Sequence, residues 1–221
     1  DYEEALKINP ESDTANFKLG SIYQKQALYK DAIKYYNKTI SINANYAVAY
    51  NNRGLCNGVM GNLAGEIADL DKSLELDPQN HRAWYNRGNY WLDREQFEQA
   101  EENYSKAIEL VADYSDAFYN RGETRFNRKN YKGSYEDYKK VTELTPDDGE
   151  AFFELGNCCL KLDSTGKACS FWKKAVELGF DEAKNALDSV TIPKEVLDRI
   201  GPTALPRSSI VISDEPLSEE T

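Results

Sequence analysis

Glycine recurs at a fixed interval along this chain of 221 residues. The recurring glycines are 34 residues apart with no insertion between copies, and they are Gly20, Gly54, Gly88, Gly122 and Gly156. A fixed period of about this length indicates a repeat array, in which each unit buries its apolar face against its neighbours. The sequence therefore has to be interpreted as several copies of one short unit before any other fold is considered.

Bulky and small residues also recur at fixed places in the unit, which is numbered here from Asp13 in the first copy. Position 24 is bulky in each copy, where it is Tyr36, Leu70, Tyr104, Tyr138 and Trp172. Position 20 is Ala32, Glu66, Ala100, Ser134 and Ala168. Together with the glycines at position 8, this set resembles the tetratricopeptide repeat family. The resemblance implies an all-α, right-handed α-solenoid whose unit is a helix A, a short turn and a helix B.

We predict that the solenoid covers residues 1–190 and that a C-terminal tail follows at 191–221. The predicted segments of the solenoid are a partial repeat at 1–12, complete repeats at 13–46, 47–80, 81–114, 115–148 and 149–182, and a capping helix at 181–190. Because four prolines interrupt the tail, we expect a short helix there, followed by an extended or disordered segment. Since 1–12 matches only a second helix, we also expect the array to continue upstream.

The charge balance narrows the class of partner. The chain has 27 basic and 38 acidic residues, which gives a net charge of −11. Nucleic-acid binding needs a basic surface to neutralise phosphates, so this composition argues against such a partner. The sequence also lacks an apolar run of the length that spans a bilayer, and membrane insertion is not expected. A neutral or basic protein or extended peptide is the expected partner.

Catalytic and metal-binding patterns are weak throughout the sequence. His81 is the single histidine, and the residues around it do not form a nucleophile–base pattern. The four cysteines contain no CxxC pair and fall on predicted helices, where we expect reduced, packed thiols. The sequence therefore predicts a protein that is not an enzyme and that needs no cofactor or metal.

Asparagine occupies position 6 in three consecutive units, as Asn52, Asn86 and Asn120. The family resemblance implies that positions 2, 6, 9 and 13 line the concave wall of the array. An amide both donates and accepts hydrogen bonds, so it can hold the backbone of an extended peptide whatever its sequence. The pattern resembles the asparagine ladders of superhelical tetratricopeptide domains. Further candidates for peptide binding are Arg82, Tyr85, Asn89, Leu92, Asp116, Tyr119, Glu123, Phe126, Phe153 and Asn157.

Several alternatives remain open at this point. The three asparagines could be tolerated solvent-facing residues with no partner. Some tetratricopeptide domains hold the acidic C-terminus of chaperones with lysine or arginine, but position 5 is Phe17 and Asn51 in the first two units and position 6 is Glu154 in the last. The array could instead self-assemble through its ends or its tail, where Ile210–Ile212 is a short apolar run, or it could target a larger enzyme.

Arginine at position 7, in Arg53, Arg87 and Arg121, could be mistaken for a ladder of anion-binding groups. Position 23 of the facing helix is Asp69 and Asp137 in two of these units, so we expect charge pairs inside the repeat. Glu66 is a second anomaly, because a carboxylate stands at a position that is alanine or serine elsewhere. A buried carboxylate is costly unless it is paired.

Overall fold

The computed structural model describes residues 2–190. Within this range the chain forms twelve α-helices and no β-strand, which confirms the predicted all-α helical repeat fold. The helices are α1 (Tyr2–Ile8), α2 (Asp13–Lys25), α3 (Tyr29–Ile42), α4 (Ala47–Val59), α5 (Leu63–Leu76), α6 (His81–Leu92), α7 (Phe97–Leu110), α8 (Ser115–Asn127), α9 (Tyr131–Leu144), α10 (Gly149–Lys161), α11 (Thr165–Glu177) and α12 (Glu182–Ser189).

The described helices belong to two compact units, with the division between Ala117 and Phe118. Each predicted complete repeat contains one A helix and one B helix, the first pair being α2 and α3. The extent of the single array predicted over 1–190 stays a prediction. The predicted tail at 191–221, including its short helix and Ile210–Ile212, lies outside the described residues.

The repeated glycine allows the two helices of a repeat to approach closely. In the third repeat, a Cβ atom added to Gly88 would lie 2.5 Å from Cε1 of Tyr104. Tyr104 is fully buried, and so is Ala100 one turn before it on α7. Glycine in a helix costs about 1 kcal/mol relative to alanine. The close contact with a large buried ring explains why the unit has a glycine at this place.

The turn between helices A and B has the same backbone conformation in all five repeats. Its position 15 has a positive φ, between 55° and 78°, and the residues are Ala27, Gly61, Glu95, Lys129 and Asp163. Residues other than glycine adopt this conformation at a cost of about 1–2 kcal/mol. The geometry of the turn therefore overrides the preference of four different side chains.

The position-7 arginines pair within their own repeats, as predicted for two of them. Arg53 donates to both carboxylate oxygens of Asp69, from Nη2 at 2.6 Å and from Nε at 2.8 Å. Arg121 makes the same two-pronged contact with Asp137, at 2.7 and 3.0 Å. In the third repeat, Arg87 Nε donates to Asn103 Oδ1 at 2.7 Å, so a neutral amide replaces the carboxylate.

Two of these arginines also join neighbouring repeats. Arg53 Nη1 donates to Asn37 Oδ1 at 2.6 Å, and Arg87 Nη1 donates to Asp71 Oδ1 at 2.7 Å. Both acceptors lie at position 25 of the preceding repeat. Arg53 and Arg87 therefore stabilise the packing between repeats, and their guanidinium N–H groups donate to residues of the protein itself.

The four cysteines are buried and unpaired, as expected for packed thiols. Burial raises the pKa of the Cys56 thiol to about 11 and that of Cys158 to about 12. Across residues 2–190, no helix combines the length and the apolar character needed to cross a membrane.

Candidate functional site

Two of the predicted peptide-binding amides belong to a chain of hydrogen bonds that crosses three repeats. Asn86 Nδ2 on α6 donates to Asn51 Oδ1 on α4 at 2.9 Å. Asn51 Nδ2 donates in turn to Asn52 Oδ1 at 2.9 Å. Asn52 Nδ2 then donates to the Tyr36 hydroxyl on α3 at 3.4 Å. The Tyr36 hydroxyl donates to Gln24 Oε1 at 2.6 Å.

This amide chain orients its members, because each member donates a hydrogen bond to the next one along the chain. Hydrogen bonds arranged in series polarise and strengthen one another. An asparagine amide can make four hydrogen bonds. Among the described residues, the chain takes up two of these at Asn52 and one at Asn86. The amides are therefore oriented by their own scaffold while part of their capacity stays open, and their role in peptide binding stays a prediction.

Asn51 links the two predicted amides, although it is not among the predicted binding residues. It is only 4% exposed. Position 5 is aromatic in the other four repeats, as Phe17, Tyr85, Tyr119 and Phe153, so a lone amide at this position was the available signal. A buried amide needs hydrogen-bond partners, and Asn52 and Asn86 supply them.

Two pockets share Asn52. One has a volume of about 480 Å³ and is also lined by Phe17, Val48 and Arg82. Val48 is 41% exposed, so an apolar surface lies beside the amides. The predicted site residue Arg82 is exposed at this pocket. The pocket thus combines apolar side chains, several amides, the cation of Arg82 and the carboxylate of Asp77, and such a mixture suits part of a peptide.

The second pocket at Asn52 has a volume of about 720 Å³ and a different charge. Lys18 and Lys25 line it, both from α2, together with Gln24 of the amide chain. Neither lysine has an acidic partner within 4 Å in the described part of the chain. The first repeat therefore offers two unpaired cations beside the amides.

Tyr85 and Asn89 of the third repeat pack against residues of their own unit. The Tyr85 ring lies 5.8 Å from that of Tyr104 and 5.1 Å from that of Tyr114. Asn89 Oδ1 accepts a hydrogen bond of 2.7 Å from the Tyr104 hydroxyl. Both side chains are half-buried, so they stabilise the repeat and also present part of their surface.

Four predicted site residues from α8 and α10 contribute to an aromatic and acidic face in the unit that begins at Phe118, and they are Tyr119, Glu123, Phe126 and Phe153. Tyr119 packs edge-on against Tyr138 at 5.2 Å, and Phe153 lies 5.2 Å from Phe180. Phe126 contacts Tyr131 at 5.1 Å, edge to face. Apart from Glu123, which is exposed, these side chains are half-buried or buried, and each rests on a larger apolar cluster.

Carboxylates dominate the electrostatics of this face. Burial raises the pKa of Glu154, and Glu150 and Glu123 raise it further, while a hydrogen bond from Asn157 at 3.2 Å opposes the shift. Burial also raises the pKa of Tyr119, whose hydroxyl hydrogen-bonds to Glu150. Three carboxylates thus share one face, and a cationic group would relieve their mutual repulsion.

Comparison with known families agrees with the repeat geometry. A family model described as Tetratricopeptide repeat matches residues 81–114, and a second model with the same description matches residues 13–46 and 115–148. The chain belongs to the tetratricopeptide repeat family. The solved structure of YrrB, "a TPR protein with an unusual peptide-binding site", is similar to it with a TM-score of 0.72 and 21% identity, over 84% of this chain and 96% of that one.

A structure of MamA is similar to this tetratricopeptide repeat protein with a TM-score of 0.69 and 22% identity, covering 83% of this chain and 100% of that one. At such identities the likeness shows the fold. Among curated proteins, the Hsp70-Hsp90 organizing protein of Triticum aestivum is 30% identical over 104 residues, which cover 47% of this chain and 18% of that protein. DnaJ homolog subfamily C member 7 of Mus musculus is 32% identical over 102 residues, covering 46% and 20%. The matched segment therefore spans a fifth or less of these relatives.

Proposed function

We propose that this tetratricopeptide repeat protein is a non-enzymatic interaction module that binds an extended peptide segment of a partner protein. The observation that carries the proposal is the oriented amide chain, which leaves hydrogen-bonding capacity at Asn52 and Asn86, and Asn52 also lines the pocket of about 480 Å³. An extended peptide presents a donor and an acceptor at every residue, and amides match both. Asn120 occupies the same repeat position in the other unit.

The energetics require side chains as well as amides. A neutral hydrogen bond contributes about 1 kcal/mol net, so Asn52 and Asn86 together supply about 2 kcal/mol. Micromolar affinity corresponds to about 8 kcal/mol. The exposed Val48 and the half-buried ring of Phe17 offer apolar contacts that make up part of the difference.

The charge of the face supports a neutral or basic partner. Glu123, Glu150 and Glu154 share one face of the unit that begins at Phe118. The whole chain also has a net charge of −11, which attracts cationic segments over distances of about a Debye length. The relatives named above as organizing Hsp70 and Hsp90, or as a DnaJ homolog, are consistent with a role in protein interaction.

Binding of fluorescein-labelled decapeptide pools, measured by fluorescence anisotropy, tests the proposal. The pools are a neutral one, a lysine-rich one and one that ends in several acidic residues with a free C-terminus. We expect the neutral or the lysine-rich pool to bind. The double variant Asn52→Ala/Asn86→Ala should weaken that binding about thirtyfold, because two lost contacts of about 1 kcal/mol each add up to about 2 kcal/mol.

The matched control is Asn45→Ala/Asn185→Ala, which removes two exposed amides outside the amide chain. It should bind as the wild type does. Thermal unfolding of both variants separates a loss of contacts from a loss of fold. Absence of binding to every pool, or equal binding by both double variants, would overturn the proposal.

A second candidate function is capture of an acidic, carboxylate-terminated tail. The observation that favours it is the pocket of about 720 Å³, where Lys18 and Lys25 lie beside Asn52 with no acidic partner in the described part of the chain. Exclusive binding of the acidic pool, abolished by Lys18→Ala/Lys25→Ala, would favour this candidate over the first. Lys30→Ala/Lys34→Ala is the control, because it removes the same number of positive charges from exposed positions on α3 that do not line this pocket.

A further inference from the structure

The second repeat has a carboxylate where the other repeats have a small buried residue. Position 20 is Ala32, Ala100 and Ala168 in three repeats, and each of these alanines is fully buried. Glu66 takes this place on α5, and its side chain is 14% exposed. A carboxylate in such a position needs room and a counter-charge.

Gly58 on α4 provides the room. A Cβ atom added to Gly58 would lie 2.5 Å from Cδ of Glu66 and 2.6 and 2.7 Å from its two oxygens. Any side chain at position 58 would therefore overlap with the Glu66 carboxylate and force it to move. The glycine therefore accommodates Glu66, and the two residues form one local arrangement.

The counter-charge inside the protein is incomplete. Arg94 is the cation nearest to Glu66, with Nη2 3.9 Å from Oε2, which is too far for a hydrogen bond. Arg94 is held elsewhere, since its Nη1 donates to the Tyr90 carbonyl at 2.5 Å and its guanidinium lies 3.5 Å from the Tyr90 ring centroid. Asp93 adds a second negative charge. Glu66, Asp93 and Arg94 together leave one negative charge.

A pocket of about 740 Å³ opens onto this carboxylate. Its apolar lining includes Leu55, Val59 and Leu63. Val59 is 63% exposed and Leu63 is 46% exposed, so both present apolar surface at the pocket. An alkyl chain that ends in a cation matches both parts of the pocket, because its stem covers apolar surface and its head meets the carboxylate.

We propose that the Glu66 pocket binds the side chain of a lysine or arginine in the partner, with the carboxylate pairing with the cation and Leu55, Val59 and Leu63 contacting its stem. This inference rests on the proposed function, because the partner protein supplies the side chain. Burial raises the pKa of Glu66, and Arg94 opposes that shift only in part. A bound cation would stabilise the charged carboxylate further.

Titration of ¹⁵N-labelled protein with Nα-acetyl-lysine N-methylamide, followed by two-dimensional NMR, tests the pocket directly. Nα-acetyl-arginine N-methylamide is the second probe, and Nα-acetyl-norleucine N-methylamide is the control with an alkyl stem and no charge. We expect the amide signals of Gly58 and Glu66 to move with one or both cationic probes. Removal of a charge-assisted contact is expected to weaken binding about tenfold, so the norleucine probe should move these signals far less at the same concentration.

Two variants complete the test. Glu66→Ala introduces the residue that three other repeats have at this place, so it should fold, and Glu66→Gln keeps the shape. Both should lose the preference for the cationic probes, whereas Glu102→Gln, an exposed carboxylate on α7, should keep it. Equal shifts with the norleucine probe, or unchanged binding in both Glu66 variants, would overturn the inference.

The amide variant separates this inference from the proposed function. Asn52→Ala/Asn86→Ala should still bind the cationic probes at Gly58, because neither amide lines the Glu66 pocket. If decapeptides bind but the probes do not, the inference about the Glu66 pocket is wrong and the proposed peptide-binding function stands. If the probes bind but decapeptides do not, the pocket exists and peptide capture is wrong.

Discussion

The second and third repeats, residues 47–80 and 81–114, form nearly equal helix pairs around different interiors. Their A helices have 13 and 12 residues, and both B helices have 14. Leu70 and Tyr104 fill position 24, and both are fully buried. Asp69 and Asn103 at position 23 both accept hydrogen bonds from arginine. Position 24 therefore needs a large buried side chain, and position 23 needs a hydrogen-bond acceptor for the arginine. More than one residue type meets each need.

The two repeats differ most at position 20. Ala100 of the third repeat is fully buried, whereas Glu66 of the second lines a pocket. Gly58 compensates for the larger side chain, since position 12 is otherwise Gln24, Leu92, Phe126 or Leu160. A repeat that departs from the common pattern in two places at once is a candidate for a function that the regular repeats lack.

Replacing the arginine at position 7 should give the largest difference in unfolding free energy between the two repeats. Arg53→Met leaves Asp69, which is 8% exposed at its side chain, without its principal counter-charge. Loss of one partner of a buried ion pair costs about 3 kcal/mol. Arg87→Met leaves the neutral Asn103, which still donates to the Gln99 carbonyl, and we expect a loss of about 1 kcal/mol. Urea unfolding followed by circular dichroism gives both values.

The double variant Arg53→Met/Asp69→Leu is the control for this prediction. Because it removes both charges, it should recover much of the stability that Arg53→Met loses. Similar losses in Arg53→Met and Arg87→Met would mean that the arginine acts through packing, and the distinction between the two repeats would fail.

Replacing the glycine at position 8 should give the second-largest difference in stability between the two repeats. Gly88→Ala places a Cβ atom 2.5 Å from the buried Tyr104 ring, and such overpacking costs about 2 kcal/mol. Gly54→Ala meets Cβ of Asp69 at 3.1 Å and the Glu66 carbonyl at 3.2 Å. There the gain in helix propensity, about 1 kcal/mol, offsets most of the crowding. Thermal unfolding should show a clear loss for Gly88→Ala and little change for Gly54→Ala.

A second-site variant sharpens this result. Tyr104→Leu gives the third repeat the residue that the second repeat has at position 24. In that background Gly88→Ala should cost much less than in the wild type, since the ring is absent. An unchanged cost would show that the glycine is required by the helix backbones and not by the ring.

The sequence predicted the interactions that depend on fixed spacing inside one repeat. Arginine at position 7 and aspartate at position 23 lie on facing sides of the two helices, so the pair of Arg53 and Asp69 followed from the period. The link from Asn86 to Asn51 joins different repeats, and its existence depends on the distance between α4 and α6, which periodicity does not give. The position of an amide was therefore predictable, whereas its hydrogen-bond partner was not.

Two further features had no usable signal in the sequence. Position 15 has a positive φ in five repeats although it is a different residue type in each, so the turn geometry comes from the packing of its two helices. The fit of Glu66 over Gly58 depends on the rotamer of one side chain. The peptide-binding role of the candidate site stays a prediction.

The carboxylate in the second repeat should make its stability depend on pH. Because burial raises the pKa of Glu66, the folded protein holds this proton more tightly than the unfolded chain does. The resulting destabilisation is absent below the unfolded pKa and complete above the folded pKa. Glu66→Ala should therefore raise stability by about 1 kcal/mol at pH 7, with the gain disappearing as the pH falls below about 4. Unfolding temperatures from pH 4 to pH 7 measure this dependence.

The exposed carboxylate of Glu102 in the third repeat is the matched control. Glu102→Ala should shift the unfolding temperature by a similar small amount at every pH in this range. A pH-independent gain in Glu66→Ala would mean that alanine acts through helix propensity alone and that the buried charge has no cost.

The turns should give the smallest difference between the two repeats. At position 15 the second repeat has Gly61, with φ of 78°, and the third has Glu95, with φ of 55°. Glycine adopts this conformation without steric cost but loses more freedom on folding, so the two effects partly cancel. Glu95→Gly should stabilise by about 0.5 kcal/mol, and Gly61→Ala, whose Cβ atom would meet open space, should destabilise by a similar amount.

Glu95→Ala is the control, because it keeps a strained residue in the turn, and it should change stability little. If Glu95→Gly and Glu95→Ala gave equal unfolding temperatures, backbone strain at this turn would be negligible, and the same turn geometry would then place no demand on residue type in either repeat.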